Sequence, residues 1–132
     1  MREEMQIDVM RTQLGRARGL GASHAGTHHW KAERLSALAL IPLTLWFVWA
    51  VVAHAGAPYE VVRAWAGRPI NAALLLALVL ATFHHAALGI EVILGDYVNT
   101  KWMEKLSVLG VKGLCAFLAI LSGVAILRMA FA

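Results

Sequence analysis

Three long apolar runs constrain the fold of this 132-residue chain more than any other feature of its sequence. Charged residues are absent from 35–59 and from 70–90, and a third run, from about Leu106 to Phe131, has Lys112 well inside it. Each run reaches the roughly 20 residues that a helix needs to cross a bilayer. The chain is 60% hydrophobic and 15% charged, whereas soluble domains are about half apolar and about a quarter charged. The sequence therefore predicts an all-α integral membrane protein and excludes a soluble globular enzyme or a disordered chain.

We expect one membrane-anchor domain over residues 1–132, with transmembrane helices at about 33–55, 69–95 and 105–131. Residues 1–30 would form a polar N-terminal arm, which lacks the apolar core of a secretory signal. Acidic residues in this arm argue against a mitochondrial transit peptide, so a bacterial inner membrane is the simplest interpretation. The segment GAPYEVVRAWAGRP is predicted to be a loop with room for one short interfacial helix carrying Trp65.

Basic residues predict the orientation of the three helices, because cytoplasmic segments of membrane proteins carry an excess of Lys and Arg. A cytoplasmic N-terminus puts nine basic residues inside and three outside: Arg2, Arg11, Arg16, Arg18, Lys31, Arg34, Lys101, Lys105 and Lys112 against Arg63, Arg68 and Arg128. We therefore expect a periplasmic C-terminus. The net charge of +4 is explained by these same basic residues, which orient the helices and contact anionic lipid headgroups. Since no basic run is interleaved with aromatic residues, membrane lipid and not nucleic acid is the expected partner.

Two adjacent histidines, His84 and His85, lie within the second apolar run. An ionisable side chain at membrane depth is costly, so each is a candidate functional residue. The two point about 100° apart around a helix and cannot both face one ligand. Ala81 and Gly89 lie one turn to either side of His85 and would let a flat macrocycle approach, and histidine is a common haem ligand. The alternative is a histidine that hydrogen-bonds a neighbouring helix.

Asp96 and Tyr97 follow His85 by about three helical turns, at the predicted cytoplasmic end of the second helix. A tyrosine hydroxyl at the membrane interface can donate a hydrogen bond to a carbonyl while its ring lies among acyl chains. This arrangement suits a quinone headgroup, and an interfacial aromatic belt is the alternative. Glu91 is expected to face a partner protein or to extend to the interface, and Lys112 is expected to extend to the interface.

The stretch HAALGIEVILGDYV resembles the signature of the small hydrophobic membrane anchor of bacterial succinate dehydrogenase, the respiratory complex II. That signature has a histidine, a glycine at plus four and Asp-Tyr-Val at plus eleven to plus thirteen, here His85, Gly89, Asp96, Tyr97 and Val98. The length, the three spans and the upstream element HHWKAERLSAL are also similar. The resemblance extends from about residue 28 to the end of the chain.

The resemblance implies roles for five residues. His85 matches an axial ligand of the haem b iron. Arg34 and His28 match residues on the side of the haem propionates, where an arginine would make charge-assisted hydrogen bonds. Tyr97 matches a residue that hydrogen-bonds ubiquinone, and Asp96 matches an acid of the same pocket. No residue of this chain is implied to be catalytic.

The resemblance also implies the assembly and its reaction. The partners would be a second membrane anchor of the cytochrome b556 type that shares the haem, an iron–sulfur subunit and a flavoprotein subunit. The complex would pass electrons from succinate oxidation to ubiquinone, linking the tricarboxylic acid cycle to the respiratory chain, and this chain would have no stand-alone activity. Two alternatives stay open, a haem-free structural anchor and a small transporter subunit. A transporter often contains internal repeats, and none is visible in this sequence.

Overall fold

A computed structural model describes residues 24–131, together with Leu14 and Ala17 upstream of them. Within this part the chain forms four helices and no strand: α1 His24–Ala53, α2 Tyr59–Ala66, α3 Pro69–Tyr97 and α4 Lys101–Phe131. The helices α1, α3 and α4 are long and apolar enough to cross a membrane. The prediction of an all-α protein with three membrane spans is therefore confirmed. The four basic residues of the N-terminal arm, at positions 2, 11, 16 and 18, lie outside the described residues.

The long helices extend beyond the spans predicted from hydropathy. Helix α1 begins at His24 instead of near residue 33, α3 ends at Tyr97 and α4 begins at Lys101. Hydropathy marks the part of a helix that lies in hydrocarbon, whereas the backbone hydrogen bonds continue into the polar interface at little cost once a helix has formed. Pro42 lies inside α1, and transmembrane helices tolerate proline because neighbouring groups can satisfy the carbonyl that it leaves free.

The loop between α1 and α3 contains the short helix that its composition predicted. Trp65 of α2 stacks on Trp46 of α1 with ring centroids 5.7 Å apart, and its ring centroid lies 4.8 Å from that of His54. The side-chain amide of Asn71, in the first turn of α3, donates to the Trp65 carbonyl at 2.7 Å. Gly56 turns the chain after α1 with a φ of 78°, a conformation that glycine adopts without steric cost. These contacts hold α2 against both neighbouring helices.

Helix α2 also approaches the end of α4 very closely. A Cβ atom added to Gly67, just after α2, would lie 2.6 Å from the backbone carbonyl oxygen of Met129. Because backbone cannot move aside as a flexible side chain can, glycine is the residue that this contact requires. The end of the molecule that carries α2 is thus closed by contacts within the chain.

Helix α3 lies between α1 and α4 and packs against both. Gly123 of α4 faces the Leu76 side chain of α3, and a Cβ atom added there would lie 3.5 Å from it, in ordinary van der Waals contact. Few residues are fully enclosed by the chain itself: only 11% of the apolar window of α1 and 17% of those of α3 and α4 are buried. The outer faces of the helices are therefore left for lipid or for other proteins.

Candidate functional site

His85 lies where α3 contacts α1. Its ring Nδ1 lies 2.9 Å from the hydroxyl oxygen of Ser36, and that hydroxyl donates to the Glu33 carbonyl oxygen at 2.9 Å. A serine has a single hydroxyl proton. Both hydrogen bonds therefore form together only when His85 carries its proton on Nδ1 and donates it to the serine oxygen. In that tautomer Nε2 keeps a free lone pair and can ligate a metal.

His85 and Arg34 line the same surface cleft. The cleft has a volume of about 230 Å³ and is bordered by Trp30, Glu33, Arg34, Ala37 and His85. The Arg34 guanidinium lies over the Trp30 ring, 5.0 Å from its centroid, a distance at which a cation is attracted to the face of the ring. A guanidinium here can hold a carboxylate of a ligand in the cleft.

Gly89 leaves space on α3 one turn beyond His85. A Cβ atom added at this position would have no atom within 4 Å apart from those of its own helix and chain neighbours. A flat group bound through His85 can therefore approach the helix backbone at this point. The open space, the free imidazole nitrogen and the nearby cation together fit a haem held from one side by this chain.

The neighbouring His84 lines different cavities. It is exposed and borders a cavity of about 420 Å³ between α3 and α4, together with Lys112 and Cys115. It also borders a cavity of about 560 Å³ with Leu35 and Leu80. Neither cavity is lined by His85 or Arg34, so the structure separates the two histidines as the helical angle predicts. In the part of the chain described, no three His, Cys, Asp or Glu side chains group together as a metal site.

The other three predicted site residues lie apart from the cleft. Tyr97 is the last residue of α3 and is 82% exposed, with the exposed Asp96 beside it. Tyr97 comes twelve positions after His85, a separation of about 18 Å along a helix. His28 is exposed near the start of α1 and does not line the cleft. The structure thus brings His85 and Arg34 together and leaves His28, Asp96 and Tyr97 on an open surface.

A cluster of ionisable side chains, one from each of the three long helices, was not predicted from the sequence. The Lys112 ammonium of α4 lies 2.8 Å from a carboxylate oxygen of Glu91 on α3, and Nδ1 of His29 on α1 lies 4.0 Å from the same oxygen. The ion pair between Glu91 and Lys112 was not predicted from the sequence. Their opposite charges and similar depths in antiparallel helices were the signal for this pair. The expectations that Glu91 faces a partner protein or the interface, and that Lys112 extends to the interface, stay predictions.

Ser36 was also missed by the interpretation of the sequence. Its signal was a hydroxyl side chain at the start of the first apolar run, two positions after Arg34. Hydroxyl side chains in membrane helices commonly bond to the backbone of their own helix. That Ser36 also contacts His85 follows from the packing of α1 against α3, which one sequence does not specify.

The comparisons with known proteins identify the family. The pattern of the succinate dehydrogenase/fumarate reductase transmembrane subunit family matches residues 8–127. A succinate dehydrogenase hydrophobic membrane anchor subunit from Rickettsia bellii is 28% identical over 102 residues, covering 77% of this chain and 82% of the relative. The protein of the same name from Paracoccus denitrificans is 38% identical over 82 residues, covering 61% and 63%. No solved structure matches the chain. With three helices able to span a bilayer, this multi-pass protein of the bacterial inner membrane belongs to the succinate dehydrogenase/fumarate reductase transmembrane subunit family.

Proposed function

We propose that this chain supplies an axial ligand of haem b and part of the ubiquinone site in a succinate:ubiquinone oxidoreductase. The observation that carries the proposal is the cleft in which His85 and Arg34 face the same space. Membership of the family supports a place in such a complex, and the cleft supports roles for His85 and Arg34 in it.

His85 would bind the haem iron through Nε2, the ring nitrogen that carries no proton when Nδ1 donates to Ser36. Arg34 would hold a propionate through charge-assisted hydrogen bonds. Gly89 would allow the ring to lie close to α3. When bound, haem accepts and releases single electrons at its iron, and this chain's residues contribute its position and its electrostatic surroundings.

The second axial ligand would come from another subunit. Among the residues that the structure describes, His85 is the histidine that shares the cleft with Arg34, and His84 at similar depth faces other cavities. We therefore propose that a second anchor subunit of the cytochrome b556 type completes the site. An iron–sulfur subunit and a flavoprotein would dock at the cytoplasmic end, where the excess of basic residues would also put the N-terminus.

Tyr97 and Asp96 would contact ubiquinone at that cytoplasmic end. The Tyr97 hydroxyl can donate a hydrogen bond to a quinone carbonyl oxygen, and the adjacent Asp96 carboxyl can take part in hydrogen bonding or proton transfer. The high exposure of Tyr97 leaves its hydroxyl free for a ligand or a partner subunit.

The adjacent histidines offer a matched test of the haem ligand. In the purified complex, His85→Leu is expected to abolish the reduced-minus-oxidised spectrum of a b-type haem, because the imidazole ligand is lost. His84→Leu removes the same group one position away and is expected to keep the spectrum. Co-purification of succinate-oxidising activity, measured with an artificial acceptor, with the affinity-tagged chain checks that each variant complex has assembled. A wild-type complex without b-type haem, or loss of haem in His84→Leu alone, would contradict the proposal.

A further inference from the structure

We infer that Ser36 is a positioning residue for the haem ligand: it fixes the tautomer and the orientation of His85 and thereby tunes the imidazole that faces the iron. This inference rests on the proposed function of His85. It assigns a role to a residue of α1, whereas the ligand itself lies on α3.

The geometry of Ser36 determines which ring nitrogen carries the proton. Ser36 is 8% exposed, and its hydroxyl proton is directed to the Glu33 carbonyl one turn earlier in α1. Its oxygen is then an acceptor facing Nδ1 of His85 at 2.9 Å. A histidine with the proton on Nε2 would present a lone pair to that oxygen, and the hydrogen bond between the helices would be lost unless the serine proton left Glu33.

The same hydrogen bond restricts the rotation of the imidazole. Histidines that bind metals commonly donate their second ring N–H to a partner, which fixes the ring plane and raises the basicity of the ligand. A neutral hydroxyl is a weaker acceptor than a carboxylate, so its electronic effect is smaller. A more basic imidazole stabilises ferric iron more than ferrous iron, because the ferric centre carries more positive charge. Ser36 should therefore lower the reduction potential of the haem.

The test compares Ser36→Ala with Ser36→Cys and Ser36→Thr in the intact complex. Alanine removes the acceptor, and cysteine keeps nearly the same volume with a weak acceptor. Both variants are expected to have a more positive haem midpoint potential and altered electron paramagnetic resonance g values. Ser36→Thr keeps the hydroxyl and should restore values close to those of the wild type. A tenfold change in the ratio of the affinities for ferric and ferrous haem would shift the midpoint potential by about 59 mV, since the couple transfers one electron.

Haem retention gives a second readout. Loss of a partner that orients a metal ligand typically costs about 10- to 100-fold in affinity, and the lower end applies here because a neutral hydroxyl is lost. We expect Ser36→Ala to release its haem up to about tenfold faster than the wild type in exchange with apomyoglobin. The control is Thr82→Val. The Thr82 hydroxyl also bonds to the backbone of its own helix, at 2.7 Å from the Leu78 carbonyl, and its loss should leave potential and retention unchanged.

The outcomes separate this inference from the proposed function. If His85→Leu loses the haem but Ser36→Ala and Ser36→Cys keep wild-type potentials and g values, Ser36 only packs against α3 and the inference is overturned. If His85→Leu keeps the haem, the proposed ligand is wrong. Should Ser36→Ala fail to assemble, the nearly isosteric Ser36→Cys decides the matter, because a wild-type potential in that variant also overturns the inference.

Discussion

At the scale of single residues, direction around a helix decides which polar side chains can act together. The helical repeat separates His84 and His85 by about 100°, but it does not show which of them hydrogen-bonds to α1. The packing of α1 against α3 supplies that information by bringing Ser36 to Nδ1 of His85. The position of Arg34 in the cleft that His85 lines is the observation that favours His85 over His84 as the proposed haem ligand.

The proposed quinone contact is tested by removing one oxygen atom. Tyr97→Phe keeps the ring and deletes the hydroxyl, so the kcat/KM for ubiquinone reduction should fall about five- to tenfold, the equivalent of one hydrogen bond. Succinate oxidation with an artificial acceptor should be unchanged. Tyr59→Phe is the control, because Tyr59 is also exposed but lies at the start of α2. Equal quinone rates in the two variants would contradict the role of Tyr97.

At the scale of helices, hydropathy predicted the number of long elements and their order but not their ends or their side-to-side contacts. The first turns of α1 are polar and still helical, since a helix does not stop where the hydrocarbon stops. The pairing of Glu91 with Lys112 depends on the rotation of α3 relative to α4. Periodicity cannot define that rotation in helices that are apolar on nearly every face.

The ion pair between α3 and α4 is expected to stabilise their packing. Glu91→Gln leaves the Lys112 ammonium without its partner, and Lys112→Met leaves the Glu91 carboxylate with only His29 nearby. Each single variant should therefore shorten the half-life of the complex at elevated temperature. The double variant should recover part of the loss, because no isolated charge remains. A double-mutant cycle should give a coupling energy of at least about 0.5 kcal/mol. Additive effects of the two substitutions would show that the pair does not contribute.

At the scale of the whole molecule, the small buried fraction of the three long helices leaves most of their surface to lipid or to other proteins. Exposed apolar side chains run along all of them, among them Leu35, Leu45, Ile93, Leu109 and Phe117. Lipid or other proteins can cover such faces, and the cleft beside His85 is open in the same way. The resemblance in the sequence predicted the family correctly, whereas the packing of the helices determines which of their apolar faces stay exposed.

The chain should accordingly be recovered as part of a larger assembly. When it carries an affinity tag and is extracted from native membranes in mild detergent, it is expected to co-purify with a flavoprotein and an iron–sulfur protein. Flavin fluorescence and non-haem iron in the eluate measure this directly. In cells lacking those proteins, the yield of the tagged chain should fall because the surface that would bind them stays uncovered. Recovery of the chain at full yield from native membranes without a flavoprotein or an iron–sulfur protein would contradict this assembly and would favour the transporter alternative.

The two ends of the molecule differ in how far the chain completes them. At one end, Gly67 packs against the Met129 backbone and Trp65 stacks on Trp46, so this end is closed by contacts within the chain. At the opposite end Tyr97 and Trp102 project outward. In the proposed orientation the closed end is the periplasmic one, and its packing contacts would form within the chain without any other protein of the complex. Contacts with other proteins of the complex would then concentrate at the opposite, cytoplasmic end.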